Sequence, residues 1–225
     1  IKSSDGTIYF YDAGIKLHFG SCAQVIAYGS SCGAAIDLDD GQISSLITGP
    51  GMTDVFGTTS GKKFYINAGT KREVFDLTSL TQIGVGGSAV VLNESAIDYL
   101  SYGTPVIRDN VVVSNRSNGQ KYLYTNNIYH TLSGAQGSYT YINALPAGTL
   151  EDRSLATGQV NSAFNGFVKD ASTDNVYILM PQGKALLTSP NSWGVSTTTL
   201  SNSLITSIPT TTDLINNRII MSPGN

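Results

Sequence analysis

Two cysteines, Cys22 and Cys32, are the only thiols in this 225-residue chain, and their spacing of ten positions allows three kinds of chemistry. A metal site would need further ligands, and His18 is the only other candidate nearby. A pair of free buried thiols is the second possibility. We predict the third, a disulfide, because the low charge and the Ser-, Thr-, Asn- and Gly-rich composition are typical of exported β proteins.

The residue types that perform catalysis do not form a recognisable motif. His18 and His130 are the only histidines, and neither a GxSxG nucleophile motif nor an HExxH zinc motif is present. The glycine-rich segment 84–89 does not open an amphipathic helix, and the acidic segment 37–40 lacks the register of a calcium loop. No pair of acidic residues stands out for glycoside hydrolysis. We therefore predict no catalytic residue, no cofactor and no bound metal.

The charge balance disfavours two classes of partner. The net charge is -3, which gives no electrostatic attraction to nucleic-acid phosphates or to acidic lipids. No apolar stretch approaches the roughly 20 residues that a membrane-spanning helix needs. Charged residues make up 13% of the chain, against about 25% in an average globular protein. We expect an extracellular or cell-surface protein with no nucleic-acid partner and no membrane insertion.

Two groups of side chains are candidates for ligand binding. Basic residues stand near the start of the second strand in three predicted hairpins, where they would form a polar rim; the lysines are Lys16, Lys71 and Lys184. Aromatic residues outside the core strands could stack on sugar rings; they are Tyr102 and Tyr139, both in predicted loops, and Trp193. A structural role is also open for both groups, because lysine can block the pairing of an exposed strand and aromatic rings can pack in a core.

The chain contains an internal repeat of about 55 residues, and the elements predicted from this repeat carry the candidate side chains. Each unit places an aromatic residue three positions after a turn, and these residues are Tyr9, Phe64, Tyr122 and Tyr177. A β-rich run, a short connection and a second β-rich run follow, which predicts a β-hairpin in every unit. The predicted units span about 1–55, 56–110, 111–166 and 167–218, and 219–225 begins a fifth copy or closes a ring.

The second half of each unit has the pattern of a short helix. Aligned apolar positions recur in three units: Leu38, Leu92 and Leu200, then Ile43, Ile97 and Ile205, then Leu46, Leu100 and Ile208. The residue after each leucine is Asp39, Asn93 or Ser201, and all three are favourable N-cap types. We therefore predict a capped helical turn in these units, whereas the third unit departs from the pattern.

The predicted fold is mainly β with short helices, in a single domain of four repeats. Residues 1–4 align with residues 220–223, so both ends of the chain reach the same point of the repeat. A β-propeller-like ring is preferred on this ground, because closure removes exposed sheet edges, and an open repeat stack is the alternative. The chain also begins without methionine, and we expect it to be part of a larger polypeptide.

The pattern S-x-x-G-x-x-[aromatic], followed by Gly, Lys and the capped L-x4-I-x2-[L/I]-x2-G, resembles repeat modules of secreted Gram-positive cell-wall and surface proteins. The resemblance spans all four units and implies a non-catalytic extracellular module, without site residues that can be transferred. The leading hypothesis is a non-enzymatic module that binds glycan or cell-wall polysaccharide. The alternative is an adhesive or spacer module that binds protein, and a glycosidase is a third, weaker hypothesis.

Overall fold

The computed structural model describes residues 1–133, 139–150, 160–161, 163–187, 190 and 194–211. These residues are mainly β, with a few short helices, as predicted. The described strands form four open sheets, none of which closes into a barrel or a propeller. The chain divides into two compact units, Ile1–Arg108 and Asp109–Asn225. This division falls close to the predicted boundary between the second and third repeats.

The first sheet of the first unit is a hairpin with one added parallel strand. Its strands lie in the order β1–β2–β3. The two-residue connection between β1 and β2 has positive φ at both Ala13 and Gly14, which matches the twist of a tight hairpin. The third strand then pairs in parallel with the second, with Ile47 opposite Ile15. The bounds are β1 (Tyr9–Asp12), β2 (Ile15–His18) and β3 (Ile47–Thr48).

The second sheet of the first unit has five strands in the order β7–β4–β5–β6–β8. Its three central strands are antiparallel, and both outer strands pair in parallel with their neighbours. A core that includes Leu17, Phe56 and Phe64 joins residues of both sheets in this unit. The bounds are β4 (Val55–Thr58), β5 (Lys63–Asn67), β6 (Thr70–Glu73), β7 (Val90–Leu92) and β8 (Ser101–Tyr102).

The second unit contains two four-stranded sheets. Their strand orders are β12–β11–β10–β9 and β15–β14–β13–β16. In each sheet three strands are antiparallel, and one outer strand, β12 or β16, pairs in parallel with its neighbour. A core that includes Leu123, Phe164 and Val168 lies within this unit. The bounds are β9 (Val111–Ser114), β10 (Lys121–Thr125), β11 (Ile128–Leu132), β12 (Val160–Asn161), β13 (Phe167–Asp170), β14 (Val176–Met180), β15 (Gly183–Leu186) and β16 (Thr198–Leu200).

The described part of the chain also contains four six-residue helices: α1 (Cys22–Ala27), α2 (Asp40–Ser45), α3 (Leu77–Gln82) and α4 (Asn202–Ser207). Two predicted N-caps are confirmed, because the side chains of Asp39 and Ser201 accept hydrogen bonds from backbone N–H groups in the first turn. Asn93 also precedes a helical turn, the 3₁₀ turn Glu94–Ile97, but its side chain does not cap that turn. Helices α1 and α3 have no counterpart in the aligned pattern.

Candidate functional site

The predicted disulfide is present and joins Cys22, the first residue of α1, to Cys32 in a following 3₁₀ turn. The two Cα atoms are 5.8 Å apart, a normal separation for a bridged pair. Neither sulfur is therefore available as a thiolate ligand. Within the residues that the structure describes, no group of three or more His, Cys, Asp and Glu side chains could hold a metal ion.

The three lysines that were expected to form a polar rim are buried. Lys16, Lys71 and Lys184 expose 9%, 2% and 7% of their surface. The ammonium group of Lys16 donates hydrogen bonds to the carbonyl oxygens of Ile43 and Leu46, at 2.6 and 3.3 Å. At the end of α2 the Ile43 carbonyl oxygen also accepts from the Leu46 N–H at 3.2 Å, and the lysine supplies a donor to both carbonyl groups. Lys16 thus lies inside the scaffold instead of at an exposed rim.

Lys184 occupies the same kind of position in the second unit. Its ammonium group donates to the carbonyl oxygens of Ile205 and Ile208, at the end of α4. Burial lowers the pKa of this ammonium group below its ordinary value, and the carboxylate of Asp170 opposes that effect. The charge is retained in a largely desolvated place because carbonyl oxygens solvate it. Lys184 therefore also stabilises the end of a helix.

Tyr102 is a predicted binding residue that keeps an exposed surface, 39% of its area. It lies on the edge strand β8, whereas the sequence predicted a loop. Lys71 Nζ is 4.5 Å from the centre of its ring, and the ring of Phe64 contacts it edge-on. Its hydroxyl group is 3.1 Å from Glu94 Oε1, and Glu94 also pairs with Lys62 at 3.0 Å. The tyrosine ring is thus held in one orientation between charged neighbours.

The other two aromatic candidates for ligand binding are Tyr139 and Trp193. Tyr139 is a core residue of the second unit, with 6% of its surface exposed. Its ring packs against Phe164 and Tyr141, and its hydroxyl group is 3.4 Å from the carbonyl oxygen of Leu179. The expectation of an exposed loop platform is therefore wrong for Tyr139, because an aromatic cluster covers it. Trp193 lies outside the described residues.

A groove that no sequence pattern indicated lies between α1 and strand β5 of the first unit. It has a volume of about 380 Å³, and its lining includes Gln24, Asp54, Tyr65 and Asn67. The backbone N–H of Gly69 donates to the carbonyl oxygen of Ala27 at 2.9 Å, which ties the β5–β6 turn to the end of α1. The groove therefore depends on contacts between distant segments. A local motif could not have indicated it.

Tyr28 follows α1 directly and is nearly fully buried, with 1% of its surface exposed. Its hydroxyl group donates to the carbonyl oxygen of Thr53 at 2.8 Å. Burial is the main reason why its pKa is raised, and the nearby Tyr99 and Asp54 add to the effect. The folded state thus strongly disfavours a phenolate at this position.

The raised pKa of Tyr28 predicts a loss of stability at alkaline pH. The Tyr28 hydroxyl group ionises near pH 10 in the unfolded chain and at a higher pH in the folded state. Its contribution to the free energy of unfolding is therefore full below about pH 10 and decreases as the pH rises above that value. Tyr28→Phe should make the free energy of unfolding less steeply dependent on pH between about pH 9 and 11. Urea unfolding at several pH values measures this slope. The exposed Tyr11→Phe is the control, and equal slopes for both variants would contradict the prediction.

No described helix has both the length and the apolar composition needed to cross a membrane.

Comparisons with known proteins give no family for this chain. No protein-family model and no curated protein matches it. One similar solved structure is the periplasmic assembly from the ESX-5 inner membrane complex, C1 model, with 8% identity over 72% of this chain and 60% of that one and a TM-score of 0.22. Another is an intact ESX-5 inner membrane complex, composite C3 model, with 8% identity, coverages of 76% and 53%, and a TM-score of 0.22. The chain spans less than two thirds of either, and TM-scores this low support no inference.

Proposed function

We propose that this chain is a non-enzymatic extracellular module that binds glycan, with Tyr102 in the binding site. The observation that carries the proposal is the partly exposed ring of Tyr102, fixed by Lys71 and Glu94. A rigid aromatic face binds the apolar face of a sugar ring and loses little conformational entropy on binding. The neighbouring carboxylate and ammonium groups of Glu94 and Lys62 provide an acceptor and a donor for sugar hydroxyl groups.

The extracellular location is supported by the Cys22–Cys32 disulfide, since such bonds persist in oxidising compartments. Cell-wall polysaccharide is the proposed ligand class, in line with the resemblance to Gram-positive surface modules. The proposal includes no catalytic residue, cofactor or metal, and it places no nucleic acid or membrane among the partners.

We also propose that the four sheets are copies of one repeat. In each of the four sheets, the second strand of the hairpin pairs in parallel with a segment that comes later in the chain. This shared pairing supports the proposal. The paired residues are Lys16 with Thr48, Lys71 with Tyr102, His130 with Asn161, and Lys184 with Thr210. The propeller-like ring and the open stack both remain predictions from the sequence.

The glycan proposal predicts that Tyr102→Ala weakens binding by about 10-fold or more, because stacking and apolar burial on the ring are lost. Tyr102→Phe retains the ring and should retain most of the affinity. The wild-type chain is first applied to a glycan array and to purified cell walls, and the variants are then compared on the ligand with the strongest retention. Circular dichroism checks that each variant is folded.

Tyr11→Ala is the matched control, because Tyr11 is an exposed tyrosine on another sheet of the same unit. Equal loss of binding in Tyr11→Ala and Tyr102→Ala would reject Tyr102 as the site. If the wild-type chain is retained by no glycan and no wall fraction, the glycan function is wrong and a protein-binding or spacer module takes its place.

A further inference from the structure

The groove between α1 and β5 contains polar groups that the fold does not use. Asp54, Tyr65 and Asn67 line it, and none of their side chains has a hydrogen-bond or ion-pair partner among the described residues. Asp54 and Asn67 are exposed, and Tyr65 is half-buried. By contrast, Asp76 in a second groove of this unit already binds Ser79 and Arg108. The α1–β5 groove therefore presents acceptors and donors that the described residues leave available to a ligand.

The wall opposite these side chains is fixed before any ligand arrives. Gln24 accepts a hydrogen bond from the Gly20 N–H at 2.9 Å and donates one to the Met52 carbonyl oxygen at 3.1 Å. The disulfide at Cys22 holds the start of the same helix. A preformed wall reduces the conformational entropy lost on binding, which favours affinity for a small ligand.

We propose that this groove binds adjacent hydroxyl groups of a sugar residue, as a second glycan site distinct from Tyr102. A carboxylate accepts hydrogen bonds from two neighbouring hydroxyl groups, and a side-chain amide can both donate and accept. The volume of about 380 Å³ lies at the small end of the range for ligand sites. An amine is a poorer fit, because one exposed carboxylate attracts an ammonium group only weakly in water. This inference rests on the proposed glycan function and adds a location to it.

The test is a titration of the ¹⁵N-labelled full chain, followed by NMR, with cellotetraose, mannotetraose and chitotetraose as separate probes. At least one probe should shift the backbone amide signals of Ser21, Gln24 and Asn67. Asp54→Asn and Asn67→Ala should each weaken that binding by about 10-fold or more, because each variant removes a hydrogen-bonding group. The dispersion of the amide signals shows whether each variant is folded.

Asp37→Asn is the control, because it removes the same charge from an exposed carboxylate that forms a surface ion pair with Lys2. Equal affinities of the wild-type chain, Asp54→Asn and Asn67→Ala would overturn the inference. So would shifts confined to residues around Tyr102, although that result would support the proposed function. If none of the three sugars shifts any groove amide, the second site is rejected, and the wall and array experiment still decides the function.

Discussion

Replacing Lys184 by alanine is expected to lower the free energy of unfolding of the second unit by about 2–4 kcal/mol. The buried ammonium group donates to the carbonyl oxygens of both Ile205 and Ile208. Alanine would remove the lysine donor from the Ile208 oxygen in a place with little access to water, whereas the Ile205 oxygen would keep the Ile208 N–H at 3.3 Å. Each acceptor that stays unpaired carries most of its desolvation cost, which is the reason for the large effect.

Two further variants separate the donor from the rest of the side chain. Lys184→Met keeps the aliphatic stem without the donors, so it should lose less stability than alanine but remain clearly destabilised. Lys169→Ala is the matched control, because Lys169 pairs with Asp174 at a surface where both side chains are accessible. Its expected cost is below about 1 kcal/mol. Urea unfolding followed by circular dichroism measures all three, and equal costs for Lys184→Ala and Lys169→Ala would refute the role in the scaffold.

The second large effect is expected from the disulfide. The double variant Cys22→Ser, Cys32→Ser should lower the free energy of unfolding of the first unit by about 2–3 kcal/mol, because the bridge restricts the unfolded chain. Urea unfolding of the wild-type chain with and without reductant gives the same comparison without a substitution. The second unit contains no cysteine, so its hydrogen exchange is the internal control. A thiol assay of the denatured, unreduced chain should detect no free thiol, and two thiols would contradict the bridge.

The parts of the fold that depend on neighbouring residues could be predicted from the sequence. A glycine in a two-residue connection, as at Gly14, favours the positive φ of a tight hairpin turn. Asp39 and Ser201 are predictable caps because each acts on a backbone group only a few residues away. Helices α1 and α3 were missed because short helices depend more on tertiary packing than on local preference.

The candidate sites were less predictable because they depend on which segment covers which strand. The spacing of Lys16 and Lys184 identified a recurring position, but not the helix ends that surround the ammonium groups. Tyr139 likewise gave no sign that Phe164 would cover its ring. Asp54 and Asn67 are ordinary turn residues in the sequence, and they meet at one groove only after α1 packs beside β5.

The parallel outer strands have a consequence for the order in which the chain folds. Hairpins such as β5–β6 join residues that are close in sequence, and isolated hairpins form within about 10 μs. The outer strands β7 and β8 instead join residues roughly 30 positions away, as in the pairs Phe56–Val90 and Thr70–Ser101. Because each of these pairings must first close a long loop, the hairpins should acquire protected amides early and the outer strands late. The outer strands would then set the folding rate of each unit.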